Sequence, residues 1–421
     1  MLDKIFTIMT KSILFSLILL SSYLCYSQNN TSEKKQDFRL SGYIKNDFFL
    51  DSRQTVSARE GSFLLWPSAI IKDSNGKDIN AAPNFNYLSL QSRLAFSWTG
   101  TETLNAEISA KIEGDFFAQS NDNINLFRLR HAYIKMNWEK TELLMGQYWI
   151  PSFTTECFPG TVSFNTGTPF NPFGRNPQIK ITHTLDKIKL VAVANTQRDY
   201  ASRGIDGTSG KYLSNSLLPE LTGIINYKTT NFSSGIGTAF KQIVPQLITD
   251  QGLATNQKLS SYSAFGYLKL KTDAVTFKIK SFYGQNTSDY LSISGFAVTE
   301  YDATTGYQKY EPISSISAWS EIHSNGKKWQ LGLFGGYSKN LGTKSNIVGS
   351  IYGLGVKDIA SLYRISPRIV YNTGKLRLAT EVEYTVANYG TSFDSKQVAL
   401  TTEKVANTRL LVGVYYFFDT K

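Results

Sequence analysis

Residues 104–117 read LNAEISAKIEGDFF, and their polarity alternates without slippage. Leu104, Ala106, Ile108, Ala110, Ile112, Gly114 and Phe116 share one side, and Asn105, Glu107, Ser109, Lys111, Glu113 and Asp115 the other, because strand side chains alternate with period 2. One such run also suits the half-buried strand of a soluble sandwich. What surrounds it decides between them. Read with the same period and with turn residues as punctuation, the chain gives about sixteen strand candidates. They lie near 38–50, 84–99, 102–117, 126–138, 141–149, 178–184, 187–198, 219–228, 231–244, 259–271, 274–284, 313–323, 328–339, 358–372, 375–388 and 405–418.

Their connections alternate between two lengths. Tight turns are expected at Thr99-Gly100-Thr101, Glu139-Lys140, Leu185-Asp186, Thr229-Thr230, Thr272-Asp273, Ser324-Asn325-Gly326-Lys327 and Asn372-Thr373-Gly374. Long connections are expected at 51–83, 118–125, 150–177, 199–218, 245–258, 285–312, 340–357 and 389–404. A soluble sandwich has no reason to segregate loop lengths in this way. A transmembrane antiparallel barrel does, with short turns on one rim, long loops on the other and an even strand number. Closure also pairs every backbone group within the hydrocarbon. The fold class is therefore all-β, a transmembrane barrel of about sixteen strands.

Aromatic placement agrees, since Trp98, Trp138, Tyr227, Phe232, Phe277 and Trp329 all lie near a short turn, where an interfacial girdle belongs. Hydrophobic residues make up 41% and aromatics 13% of the chain, which suits strands that are apolar on one side only. Residues 1–27 read as a cleaved signal peptide, with Lys4 and Lys11 ahead of the apolar run 12–24 and Cys25-Tyr26-Ser27 before Gln28. Lipidation at Cys25 is disfavoured by the bulky Leu24 before it. A short polar segment, 28–37, then leads into one barrel domain, 38–421. The expected location is the outer membrane of a Gram-negative cell. The last strand carries Thr408, Leu410, Val412, Val414, Tyr416 and Phe418 outward and Arg409, Gly413 and Tyr415 inward, like the C-terminal strands of outer-membrane barrels. Cys157 has no partner cysteine in the mature chain and reads as a small packed residue.

The formal net charge of +11 has no Lys/Arg block of five or more behind it, so nucleic acid is not an expected partner. With apolar positions facing lipid, the inward set counts roughly fifteen cations against seven anions, enough to enrich anions in a low-dielectric pore. Arg93, Lys111, Lys135, Arg364 and Arg368 are the expected pore-lining cations. The 104–117 strand is a local exception, because Glu107, Glu113 and Asp115 outnumber Lys111.

The connection 150–177, IPSFTTECFPGTVSFNTGTPFNPFGRNP, is stiffened by five prolines and is the expected constriction. Packing on the inner wall would bury Phe158, Phe164, Phe170 and Phe173 and leave Asn165, Asn171, Arg175 and Asn176 for the channel. Arg128 and Arg130 share parity with Ala132, Ile134 and Met136, which points two arginines at lipid. They sit above the membrane, or a bulge turns them inward, or they face a second protomer; an inward turn would make them strong anion ligands. The three histidines fall on different strands, so neither a metal site, a catalytic triad nor a cofactor is expected.

The run Leu126-Phe127-Arg128-Leu129-Arg130-His131-Ala132-Tyr133, then Leu144-Met145-Gly146-Gln147-Tyr148-Trp149, then Asn171-Pro172-Phe173-Gly174-Arg175 resembles the DcaP-like porins of Gram-negative outer membranes. The resemblance is specific over 126–183 and architectural elsewhere. It implies a sixteen-stranded homotrimeric porin whose third extracellular loop narrows each pore, with a preference for small anionic solutes such as dicarboxylates. The 28–37 segment leaves no room for the N-terminal coiled coil that some members carry, which makes trimerisation less assured. The leading function is passive diffusion of small hydrophilic solutes with modest anion preference, the partners being those solutes and outer-membrane lipid. A non-conducting barrel serving as adhesin or structural protein is the alternative, and an outer-membrane hydrolase comes third.

Overall fold

In the computed structural model, residues 36–118 and 121–420 are described. The signal peptide 1–27 and nearly all of segment 28–37 lie outside them. Sixteen barrel strands are formed, the second in two pieces. They are β1 (Asp37–Asp51), β2 (Asn84–Leu88 and Arg93–Thr103), β3 (Ala106–Asp115), β4 (Arg128–Asn137), β5 (Thr141–Trp149), β6 (Arg175–Leu185), β7 (Ile188–Asn195) and β8 (Glu220–Lys228). They continue as β9 (Phe232–Ile243), β10 (Leu259–Lys271), β11 (Val275–Gln285), β12 (Gln308–Ser324), β13 (Trp329–Gly342), β14 (Ile359–Thr373), β15 (Leu376–Phe393) and β16 (Ala399–Asp419). Each pairs antiparallel with the next, and β16 closes on β1 from Ser41↔Asp419 to Asp51↔Arg409. Among the described residues the barrel itself leaves no edge unpaired, as a sheet in hydrocarbon requires.

The outer face is apolar along the strands, with Leu190, Ile225, Ile236, Ile279, Leu333 and Leu378 all exposed. Near the short turns the girdle is present as packed pairs, Phe38 with Trp98 at 5.5 Å and Trp329 with Tyr371 at 4.5 Å between ring centroids. Trp138 donates its indole N–H to the carbonyl of Leu104 at 3.1 Å.

Three expectations about connections are corrected. The β2–β3 turn falls at Leu104-Asn105, both at positive φ (53° and 56°), and not at Thr99-Gly100-Thr101. Gly100, at φ 95°, instead accommodates a bulge between Trp98 and Thr101, and β2 runs on to Thr103; a turn with two left-handed residues matches the twist of the strands it joins. The expected loop 389–404 is mostly ladder, because β15 and β16 extend beyond the apolar band and leave only residues 394–398 between them. Within 285–312 a further strand, Gly295–Tyr301, pairs with the upper part of β12.

Candidate pore and constriction

Three elements enter the barrel from its long-loop end. One is a hairpin of Thr55–Ala58 and Phe63–Pro67, the second is loop 150–174, and the third is segment 286–294. They share a single apolar core in which Phe63, Leu65, Trp66, Phe153, Phe164, Phe170, Phe173, Tyr290 and Ile293 meet Phe265, Tyr267, Phe282, Trp319 and Phe334 of the inner wall. The proline-rich loop thus folds inward. Its rings need a dry surface, and inward aromatics on β10–β13 provide one.

Wall side chains of opposite sign then grip the loop by its backbone. Lys280 donates to the carbonyl oxygens of Ser152 and of Phe153 (3.3 Å), and Lys278 to that of Phe158 (3.0 Å). Glu321 accepts from the Gly160 N–H at 2.7 Å, and Glu381 from those of Ser163 (2.9 Å) and Val162. Arg364 donates to the carbonyl of Thr168 at 3.0 Å. Irregular backbone held inside a barrel leaves carbonyls and N–H groups unpaired, and these charges pair them.

That arrangement redistributes the expected pore-lining residues. Arg364 is 1% exposed and serves the loop. Arg368 pairs with Glu321 and is also buried. Asn171 does not face the channel, because its side-chain oxygen accepts from Lys280 (3.1 Å) and from the Trp319 indole (3.2 Å). Arg175 is likewise buried, stacked 4.3 Å from the Trp149 ring centroid and paired with Asp199. Asn165 and Asn176 are buried as well. Phe158, expected to pack away, is 41% exposed.

Arg128 and Arg130 turn inward through a bulge. Glu113 stands opposite His131 and Gly114 opposite Leu129, so Arg130 is the extra residue and parity changes there. Leu129 is left facing outward, while Arg130 and His131 are both buried. Most of their donors are already engaged, however, and Arg128 keeps only Nη2 unbonded. Arg130 donates to Glu113 (2.8 Å) and Asp115 (2.9 Å), and Arg128 to Asp115 (2.9 Å) and Asp199 (3.1 Å). Glu113 and Asp115, two of the three acids of the face expected on β3, are consumed in these pairs.

Because the loop is clasped by β11, β12, β14 and β15, open space remains on the opposite side. A chamber of about 380 Å³ lies between loop residues Phe153, Thr155, Phe158, Phe164 and Phe173 and wall residues Tyr43, Arg93, Lys111, Glu113, Arg130, Tyr133 and Tyr148. Lys111 and Arg93 keep side-chain exposures of 30% and 20% there, against 8% for Glu113. A second chamber of about 360 Å³ shares Tyr148, Trp149 and Thr155 with it and contains Lys135, paired with Glu142 at 2.8 Å, together with Lys140, Lys180 and Lys189.

Sequence reading missed Arg59 and Asp199, which sit in loops without periodicity. Burial alone would raise the Asp199 carboxyl, but Arg175, Arg128 and Arg59 outweigh it and hold the group well below the usual carboxylate range.

Among solved structures, the outer membrane channel DcaP of Acinetobacter baumannii is similar over 93% of this chain and 99% of its own, with a TM-score of 0.66 and 16% identity. The barrel is a DcaP-like porin fold. An anion-selective porin from Comamonas acidovorans (TM-score 0.54, 11% identity) covers 91% of this chain and 100% of its own. OmpT of Vibrio cholerae (0.53, 10%) covers 93% and 99%. No family model and no curated protein sequence matches the chain. The likeness over 93% of the chain is one of fold, whereas the sequence motifs lie within residues 126–183.

Proposed function

We propose that the protein is an outer-membrane diffusion porin, exported by a cleaved signal peptide at 1–27, that passes small hydrophilic solutes with a modest preference for anions such as dicarboxylates. The single observation that carries this reading is the chamber between the clasped loop and β1–β5, where Arg93 and Lys111 are the most exposed charges. A low-dielectric wall focuses their field into the passage. Arg93, Lys111, Arg130 and Lys135 are the lining residues in this reading, while Arg128, Asn171, Arg175, Arg364 and Arg368 shape the passage from behind. The name of the Comamonas porin as anion-selective and the trimer form recorded for the Vibrio protein agree with an anion-preferring homotrimer. No cofactor or chemical step is involved.

The test is the reversal potential of purified protein in a planar bilayer under a KCl gradient. An anion-side potential supports the reading, and a cation-side one overturns the lining assignment. A second reading, a non-conducting adhesin or structural barrel, is favoured by the three elements packed into the mouth; absence of conductance steps would establish it.

A further inference from the structure

The hairpin that enters the mouth ends in a strained turn. Arg59 and Glu60 both adopt left-handed backbone (φ 59° and 50°), followed by Gly61 at 83°. Non-glycine residues adopt this conformation only at an energetic cost, so surrounding contacts must hold it. The turn delivers the Arg59 guanidinium into the protein, where the residue is 0% exposed. Its central carbon lies 4.7 Å from the Phe117 ring centroid, 5.4 Å from Phe164 and 5.8 Å from both Phe63 and Tyr200. Ring faces stabilise a cation but accept none of its in-plane N–H bonds.

Those N–H groups lack acceptors. Among the described residues, Nε, Nη1 and Nη2 of Arg59 make no hydrogen bond, nor do Nη2 of Arg128, Nε and Nη2 of Arg175 or the hydroxyl of Tyr200. All three arginines gather on Asp199, which pairs directly with Arg128 and Arg175 and lies within the electrostatic reach of Arg59. Arg59 and Arg128 also share the rings of Phe117 and Phe164. Around them, five arginines (59, 93, 128, 130 and 175) and Lys111 meet three carboxylates (Glu113, Asp115 and Asp199), an excess of three positive charges. Burial pushes the Arg59 guanidinium below its ordinary value, and Arg128 adds like-charge repulsion. A buried cation with unmade hydrogen bonds is among the costliest arrangements in a protein. What this cluster lacks is an anion.

We propose that Arg59, Arg128 and Arg175 form a binding site for one small oxyanion, a carboxylate group or inorganic phosphate, held beneath the mouth hairpin and apart from the chamber lined by Arg93 and Lys111. Two acceptor oxygens would meet the fork of Arg59 and an edge of Arg128 or Arg175 in the geometry guanidinium groups favour. The site does not depend on conduction.

Refolded mature protein in detergent is titrated with sodium phosphate and, separately, sodium acetate, with chloride balancing ionic strength, while calorimetry reads binding and circular dichroism reads the unfolding temperature. Saturable binding with a rise in unfolding temperature is expected for at least one anion, and which of them acts identifies the phosphate or carboxylate class. Arg59→Met, which keeps a stem inside the ring cage, is expected to weaken binding at least tenfold, while Arg39→Met at the opposite rim leaves it intact. If Arg59→Met does not refold, Arg128→Gln reads the same site. No saturable effect in the wild type, or an unchanged affinity in the Arg59 and Arg128 variants, overturns the site. Because no current is measured, failure here is distinct from failure of the channel reading.

Discussion

Arg364 of β14 donates from Nη1 to the carbonyl of Thr168 at 3.0 Å while its Nη2 reaches the carbonyl of Leu65 at 2.9 Å. One guanidinium on the barrel wall therefore ties the constriction loop to the mouth hairpin, and its Nε is fixed by the Thr385 hydroxyl at 2.7 Å. Arg364→Met would leave two buried carbonyls unpaired, a loss on the order of 3 kcal/mol from loop docking. The expected result is noisier single-channel current and faster proteolytic cleavage within 150–174, with barrel migration on unheated gels unchanged. A quiet channel with wild-type protease resistance would show that the tie is dispensable.

The chamber makes a second prediction, about charge. Arg93 and Lys111 are its exposed cations, and each already faces Glu113, at 3.6 and 2.8 Å. Replacing both by glutamate changes the local charge by four units in a passage where fields are weakly screened. The anion-to-cation permeability ratio should fall several-fold, and reversal potentials in a KCl gradient should move toward the cation side. An unmoved potential would place the permeation path elsewhere.

Period-2 alternation made the barrel legible, because a lipid face and a wet face impose it on every strand and loop lengths then distinguish the rims. Bulges were legible only as a conflict, two arginines at lipid-facing parity, which left the bulge as one of three readings. Gly100 reads as a turn residue and serves a bulge, and the residue inserted at Arg130 reversed the parity of Arg128 and Arg130, a slip no alternation count locates. The inward loop was foreseen from its prolines and rings. That Lys280, Glu321, Glu381 and Arg364 bond its backbone was not, since parity says which way a charge points and not what it meets. Inward aromatics on β10–β13 were the available signal for where the loop docks.

Cys157 tests the seat of that loop. It is fully buried among the loop's rings, and burial pushes its thiol up to about 11. Since the thiolate is the nucleophile, about one thiol in a thousand is ionised at pH 8, and the fraction rises tenfold per pH unit up to the shifted value. Folded protein should resist a maleimide at pH 8 and react slowly as pH is raised, whereas denatured protein should label completely within minutes. Rapid labelling of folded protein at pH 8 would mean that the loop leaves its seat.

The membrane assignment itself can be tested at Ile236, which is 66% exposed near the middle of β9, facing outward between Ile225 and Gly266. In water an exposed isoleucine exchanged for arginine costs almost nothing. At the midplane of a bilayer the same exchange costs about 2–4 kcal/mol, because the charge must be dragged toward the interface or solvated by thinning the lipid. Ile236→Arg should therefore destabilise the barrel by that amount in reversible denaturant unfolding from lipid vesicles. The penalty should shrink for Leu270→Arg, whose position lies at the short-turn end of β10, paired with Phe232 of the girdle. Equal, near-zero costs at both positions would mean that this face does not contact hydrocarbon.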